Sequence, residues 1–236
     1  MVLDSILTLN TLFSFITLTV MEIVLGIDNI IFISILTGSI EAEHRKKVRV
    51  LGLSLALIMR LILLGFLNQI SHTESTLFSI GKYDFAVKHL IFFGGGLFLL
   101  YKSTAEIHLS MQGEETEKKK KKLSAGTAIF QIILLDLVFS FDSILTAVGL
   151  SGEMLIMSLA VVISMIIMLF ASKSISDFIH ANPSIKMLAL SFLMTIGVML
   201  VAEAFHQEIP KGYIYYSLAF SSLVEYINLK AKRRVS

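Results

Sequence analysis

The sequence predicts an all-α, polytopic membrane protein with seven transmembrane helices, arranged as a 3+3 inverted repeat plus one additional helix. Three observations support this fold class. Hydrophobic residues make up 55% of the 236 residues and charged residues only 16%, and the mean hydropathy is +0.81, which excludes an ordinary soluble domain. Seven apolar stretches are long enough to cross a bilayer. An acidic motif also occurs twice, three predicted spans apart.

The predicted spans follow one another with short polar connections. A spanning helix needs about 20 mostly apolar residues, and such stretches lie at 6–36, 49–68, 85–106, 126–149, 154–172, 184–204 and 212–229. No basic residue precedes the first stretch and no small-residue cleavage site follows it, so we expect a true first span rather than a signal peptide.

Basic residues predict the orientation of the chain in the membrane. Clusters at 44–49, 118–122 and 230–234 fall in loops one and three and at the C-terminus. These positions lie on one side of a seven-span protein. The positive-inside rule therefore predicts an outside N-terminus and a cytoplasmic C-terminus. Because topology explains the clusters, we expect no nucleic-acid partner.

The repeated acidic motif is the main functional signal. The two copies are Glu22-Ile-Val-Leu-Gly-Ile-Asp28-Asn29-Ile30 in span one and Asp136-Leu-Val-Phe-Ser-Phe-Asp142-Ser143-Ile144 in span four. A separation of three spans makes the second copy enter the membrane from the opposite face, as in an inverted repeat. We therefore expect a single transmembrane domain, with repeat one at 6–106, a cytoplasmic linker at 107–124, repeat two at 125–204 and a seventh helix at 212–229.

The helical positions of the acids bear on the geometry of the site. At about 100° per residue, Glu22 shares a face with Asn29, and Asp136 shares the corresponding face with Ser143. The second acids of the motifs, at positions 28 and 142, fall off those faces in unbroken helices. Either they face another neighbour, or each helix unwinds between its two acids so that both reach one cavity. Antiparallel packing of the two helices would place a central carboxylate pair between the two outer acids.

Carboxylates inside hydrocarbon are costly and require a cation, a proton or a counter-charge. Carboxylate, amide, hydroxyl and main-chain oxygens can form the six-oxygen shell that Mg²⁺, Ca²⁺ or Mn²⁺ accepts. The absence of cysteine excludes thiolate ligands and favours a hard cation. The candidate metal ligands are Glu22, Asp28, Asn29, Asp136, Asp142 and Ser143. No resident cofactor is expected.

Arg60, near the middle of span two, is the candidate counter-charge. Under one interpretation it is a static partner of Asp28 or Asp142. Under another it competes with the ion and occupies the site until the ion arrives. A third interpretation is purely structural: the acids pair internally with Arg60 and only hold the helices together.

Other polar and small residues have simpler explanations. Glu106, Glu203 and Lys102 lie near predicted span ends, where their charged groups are expected to reach water. The six histidines lie at or near predicted loops, so none is expected to act as a proton relay. The run Gly94-Gly95-Gly96 lacks the strand and the trailing residues of a phosphate-binding loop and predicts close helix packing instead.

Three further stretches stand beside the two acidic motifs: Gly-Gly-Leu-Phe-Leu-Leu-Tyr-Lys at 95–102, the stretch 180–193 and Ile-Pro-Lys-Gly-Tyr-Ile-Tyr-Tyr at 209–216. Together these five segments resemble the TerC family of integral membrane proteins, close to its short YgdQ-like bacterial members. The resemblance covers nearly the whole chain. It implies a seven-span bacterial inner-membrane protein grouped with LysE-type transporters and linked to tellurium resistance and to manganese homeostasis by Mn²⁺ export. The family's functional acids correspond to Glu22, Asp28, Asp136 and Asp142, with Asn29 and Ser143 beside them.

The function expected from these observations is export of a divalent metal cation, with Mn²⁺ as first choice. Glu22 and Asp136 would form the central site, and Asp28 and Asp142 would bind the ion on its way in and out. Buried carboxylates can exchange a metal for protons, so protons are a candidate coupling ion. The alternatives are an intramembrane metal-dependent enzyme and a non-transporting scaffold that supplies metal to secreted enzymes.

Overall fold

The computed structural model describes residues 9–70, 77–80, 83–112, 123–151, 153–207 and 209–235. Within these ranges the side chains at 10, 28, 68–70, 80, 142, 145–151, 211 and 232–235 are not described. The side chains of two predicted ligands, Asp28 and Asp142, therefore lie outside the described residues, as does most of the predicted linker.

Long helices lie at every predicted span. They are α1 (Leu9–Gly38), α2 (Ala42–Ile70), α3 (Val87–Met111), α4 (Ala125–Ser151), α5 (Met154–Ala181), α6 (Pro183–Ala204) and α7 (Lys211–Val235). A short hairpin of β1 (Phe78–Ile80) and β2 (Tyr83–Phe85) precedes α3. Within the described residues, α1 and α4 are continuous through Gly26 and Ser140. The alternative in which these two helices unwind between their acids is therefore wrong.

Five helical segments in the described residues are long and apolar enough to cross a membrane: Thr11–Gly38, Ala42–Leu67, Val87–Met111, Met154–Ala181 and Pro183–Ala204. A shorter apolar helical segment covers Ala125–Phe141. The backbone groups in the interior of a helix hydrogen-bond within the helix itself, which is the condition for crossing hydrocarbon. The chain is thus an all-α polytopic membrane protein. Seven crossings and the inverted repeat stay predictions.

The chain divides into two compact units, one formed by Met1–Ser75 and Lys122–Asp177 and the other by Thr76–Lys121 and Phe178–Ser236. In the first unit, the amide of Leu123, just before α4, donates to the carbonyl of Ser39, just after α1, at 3.0 Å. The start of α4 thus meets the end of α1, so the two helices are antiparallel, as the sequence predicts.

The connection from α1 to α2 is fixed by a basic side chain. Arg45 Nε donates to the carbonyl of Ile40 at 3.1 Å, and its Nη2 donates to the carbonyl of Gly38 at 3.2 Å. The last carbonyls of a helix have no partner inside the helix, and a cation also complements the negative end of its dipole. Arg45 therefore caps α1.

In the second unit, α3 and α6 pack closely at two glycines. A Cβ added to Gly96 would lie 2.8 Å from the carbonyl oxygen of Gly197, and one added to Gly197 would lie 3.1 Å from the carbonyl oxygen of Gly96. Small residues let membrane helices approach to this extent. The prediction of close packing is confirmed at Gly96. At Gly94 no atom lies within 4 Å of an added Cβ.

The hairpin, which the sequence analysis did not predict, lies beside the C-terminus of α6. His206 has a φ of 62°, its amide donates to Glu203, and the amide of Gln207 donates to Ala202, each at 3.0 Å. This pair of bonds is the Schellman motif, which places residue 206 in the left-handed position that glycine usually occupies. The turn directs the ring of His206 onto the hairpin, where its Nε2 meets the carbonyl of Asp84 at 3.0 Å.

Candidate membrane-embedded carboxylate site

The candidate site lies in the first unit, where α1, α2 and α4 meet. Glu22 and Asn29 are seven positions apart on α1 and therefore share one face of the helix. Glu22 is 3% exposed, Asn29 4% and Asp136 of α4 4%. Because each helix is unbroken and the two are antiparallel, the polar face of α1 meets the polar face of α4. Arg60 of α2, 3% exposed, completes the cluster.

The guanidinium of Arg60 joins the two carboxylates. Its Nη1 donates to Oε2 of Glu22 at 2.5 Å. Its Nη2 donates to Oδ1 of Asp136 at 2.7 Å, and its Nε donates to Oδ2 of the same carboxylate at 3.3 Å. The contact with Asp136 is therefore the two-point arrangement that suits a planar guanidinium. All three nitrogens of Arg60 are engaged.

Asn29 adds a fourth group to the cluster. Its Nδ2 donates to Oδ1 of Asp136 at 2.8 Å, so Asp136 accepts three hydrogen bonds. Its Oδ1 is buried and has no hydrogen-bond partner among the described residues. A buried amide oxygen without a donor is destabilising. The oxygen is available to a water molecule or a cation.

The charges in this cluster do not balance. Two ionised carboxylates and one guanidinium, which stays protonated in proteins, sum to a formal charge of −1. Burying an uncompensated charge in a medium of low dielectric is expensive, and proteins avoid it by pairing, protonation or metal binding. Arg60 thus accounts for one carboxylate. Within the described residues Arg60 is the one cation paired with this cluster, and a proton or an added cation would neutralise the second carboxylate.

The surrounding residues are small or already hydrogen-bonded. A Cβ at Gly26 would overlap the sulfur of Met168 of α5, so the absence of a side chain there leaves room for the end of the Met168 side chain. The hydroxyl of Ser140 donates to the carbonyl of Leu137 at 3.3 Å, and that of Ser143 donates to the carbonyl of Ser140 at 3.2 Å. These hydroxyls use their protons within α4 and keep lone pairs that face the protein interior.

The structure brings some of the predicted site residues together and leaves others apart. Glu22, Asn29 and Asp136 meet around Arg60, and Ser143 is buried two turns further along α4. The partners of Arg60 in the described structure are Glu22 and Asp136. No group of three or more histidine, aspartate or glutamate side chains that could hold a metal occurs in the part of the chain that the structure describes. A metal-binding role for these residues stays a prediction.

The second unit contains polar groups that the sequence analysis placed wrongly or missed. Glu106 is 3% exposed and pairs with Lys102 at 3.2 Å, so the expectation that its carboxylate reaches water is wrong. His89 is buried and stacks on His206, with ring centroids 4.3 Å apart. These histidines are 117 positions apart in the sequence, and no local pattern could have paired them.

Comparisons with known proteins identify relatives along the whole chain. Residues 7–236 match the model of the integral membrane protein TerC family. The chain is 48% identical over 213 residues to the UPF0053 inner membrane protein YgdQ of Escherichia coli K12, an alignment that covers 90% of both proteins. It is 43% identical over 222 residues to a UPF0053 protein of Haemophilus influenzae, with 93% of this chain and 94% of the relative covered.

A third relative is longer. The chain is 44% identical over 219 residues to the UPF0053 inner membrane protein YoaE of Escherichia coli K12, and this alignment covers 92% of the chain but 42% of YoaE. No solved structure matches the chain.

Proposed function

Because the chain belongs to the integral membrane protein TerC family, we propose that it is a membrane transporter that exports a divalent metal cation, with Mn²⁺ as the first candidate. The observation that carries this proposal is the buried Glu22–Arg60–Asp136 cluster, whose formal charge is −1. Ionisable groups inside membrane segments face the interior of the protein and mark the path of ions or protons. A purely structural pair would leave no charge to neutralise.

The chemistry of the donors supports a hard divalent cation as substrate. The cluster offers carboxylate oxygens from Glu22 and Asp136 and the amide oxygen of Asn29, which has no hydrogen-bond partner among the described residues. Oxygen ligands of this kind suit Mn²⁺, Mg²⁺ and Ca²⁺. In the proposed site, Glu22 and Asp136 hold the ion centrally with Asn29. Asp28, Asp142 and Ser143 bind it on its way in and out. A proton would neutralise the carboxylate that Arg60 does not balance when the metal leaves.

The proposed location is the inner membrane, with transport directed out of the cytoplasm. Relatives of the chain are named inner membrane proteins, and several of its helices are long and apolar enough to cross a membrane. The basic clusters support an outside N-terminus and a cytoplasmic C-terminus by the positive-inside rule. Arg45, a member of the first cluster that caps α1, would lie at the cytoplasmic surface.

The experiment that tests the proposal is metal uptake into inverted proteoliposomes that contain the purified protein. In these vesicles cellular export appears as uptake, and Mn²⁺ is compared with Mg²⁺, Ca²⁺ and Zn²⁺. We expect Mn²⁺ flux that is lost in Glu22→Gln and Asp136→Asn and kept in Glu153→Gln, which removes an exposed carboxylate.

Two other outcomes would contradict the transporter proposal. Mn²⁺ binding without flux would favour a scaffold that supplies metal to other proteins. The absence of both binding and flux for every ion, in protein that is folded, would favour the structural interpretation, in which the acids pair with Arg60 and only hold the helices together.

A further inference from the structure

Arg60 lies where a cation between the two carboxylates would have to lie. Its nitrogens contact Oε2 of Glu22 at 2.5 Å, and Oδ1 and Oδ2 of Asp136 at 2.7 and 3.3 Å. Both oxygens of Asp136 are therefore directed at the guanidinium. A divalent ion lying between the two carboxylates would compete with the guanidinium for the same oxygens, because Asp136 already accepts three hydrogen bonds.

Arg60 and the ion cannot occupy this position together. Two cations in contact repel one another, and in a buried site of low dielectric the repulsion is poorly screened. The guanidinium must therefore withdraw from at least one carboxylate when the ion binds, and return when the ion leaves. Arginine is suited to this withdrawal and return, since it stays charged without a proton from solution and its two-point contact restores one defined geometry.

We propose that Arg60 is a tethered substitute for the transported cation, which occupies the carboxylate pair whenever the carrier is empty. This inference rests on the proposed transport function and specifies its return step. A carrier with two ionised and unpaired carboxylates would have to change conformation with a charge of −2 inside the membrane, at a cost of several kcal/mol. With Arg60 balancing one carboxylate and a proton balancing the other, the empty carrier returns without metal, and the protein carries out net transport.

Removal of the Arg60 charge should therefore affect two modes of transport, net flux and exchange, to different extents. Net flux down a gradient requires the empty carrier to return, whereas exchange of labelled Mn²⁺ for unlabelled Mn²⁺ at equal concentrations requires only the loaded carrier. Arg60→Gln removes the charge and keeps a polar side chain. Arg60→Lys keeps the charge but not the two-point contact. Lys173→Gln, which neutralises an exposed base on α5, is the matched control.

We expect Arg60→Gln to lower net Mn²⁺ flux by at least ~10-fold, which is equivalent to a rise of about 1.4 kcal/mol in the barrier of the return step. The rate of Mn²⁺ exchange should stay within ~3-fold of the wild-type rate. Arg60→Lys should keep part of the net flux, and Lys173→Gln should keep both modes. Unchanged net flux in Arg60→Gln, or an equal loss of both modes, would overturn the inference. A wild-type protein that carries no Mn²⁺ in either mode would overturn the proposed function itself.

A binding measurement guards against a variant that fails to fold. If Arg60 competes with the ion, its removal should tighten Mn²⁺ binding to the detergent-solubilised protein by at least ~10-fold, as measured by electron paramagnetic resonance of free Mn²⁺. Damage to the fold would weaken binding. Unchanged or weaker binding in Arg60→Gln protein whose circular dichroism spectrum matches that of the wild type, with wild-type binding in Lys173→Gln, would contradict competition.

Discussion

The two carboxylates of the cluster differ in how much of the fold depends on them, and this difference can be measured as free energy of unfolding. Asp136 accepts hydrogen bonds from Nε and Nη2 of Arg60 and from Nδ2 of Asn29. Glu22 accepts one bond, from Nη1 of Arg60. The perturbations to compare are Asp136→Asn and Glu22→Gln, which remove one negative charge each at nearly constant volume.

The expected magnitudes follow from these contacts. In Asp136→Asn the new amide group must direct its NH₂ at a donor, so one contact with Arg60 becomes repulsive and the two-point pair is broken. Three hydrogen bonds lose their charged acceptor, at about 1–2 kcal/mol each, so the expected loss is about 3–5 kcal/mol. In Glu22→Gln the amide oxygen still accepts the bond from Arg60, and the remaining Arg60–Asp136 pair is neutral. The loss is then the difference between a charged and a neutral hydrogen bond, about 1–2 kcal/mol.

The assay is equilibrium unfolding of the purified variants in lipid bicelles, with Glu153→Gln as the exposed control. We expect Asp136→Asn to be less stable than Glu22→Gln by about 2–3 kcal/mol, and the control to match the wild type. Equal losses, or a larger loss for Glu22→Gln, would refute the assignment of Asp136 as the principal partner of Arg60. Glu22→Gln would also be the better variant for functional work, because its fold is expected to survive.

Two further predictions concern helix packing and capping. Gly96→Ala should destabilise the protein by about 1–3 kcal/mol relative to Gly94→Ala. The new Cβ at position 96 meets the backbone of α6, the one at position 94 meets no described atom within 4 Å, and the gain in helix propensity is common to both. Equal stability in unfolding experiments would contradict the close contact of α3 and α6. Arg45→Gln should cost about 1–2 kcal/mol, since the hydrogen bonds to Gly38, the last residue of α1, and to Ile40 just beyond it lose a charged donor. Lys173→Gln should cost little. Equal unfolding free energies for these two variants would exclude the cap.

The positions of the helices could be predicted from the sequence because apolar length is a strong constraint. A run of about 20 apolar residues in hydrocarbon has to form a helix to satisfy its backbone, and all the predicted spans coincide with helices. The hairpin could not be predicted, since its strands have three residues each and carry no distinctive alternation. The continuity of α1 and α4 also had to come from the structure, because Gly26 and Ser140 are compatible with either a helix or a break.

The candidate site could be predicted in part. The seven-residue spacing of Glu22 and Asn29 places them on one face of any helix, so their common burial follows from the sequence. The partners of Arg60 depend on how three helices are rotated against one another, across separations of 38 and 76 residues. That rotation is set by packing, such as the contact of Gly26 with Met168, and no local pattern encodes it. The burial of Glu106 likewise depends on how the helices pack, and no local sequence pattern encodes it.

The most direct test of the central claim is a measurement of Mn²⁺ bound to the purified protein, by electron paramagnetic resonance at varied metal concentration. We expect one Mn²⁺ per chain with oxygen ligands. Glu22→Gln should bind it at least ~10-fold more weakly, since even outer partners of metal ligands affect affinity to this extent. Glu153→Gln should bind it with wild-type affinity. Mn²⁺ bound equally well by Glu22→Gln and the wild type would contradict the claim that the carboxylates around Arg60 hold the transported ion.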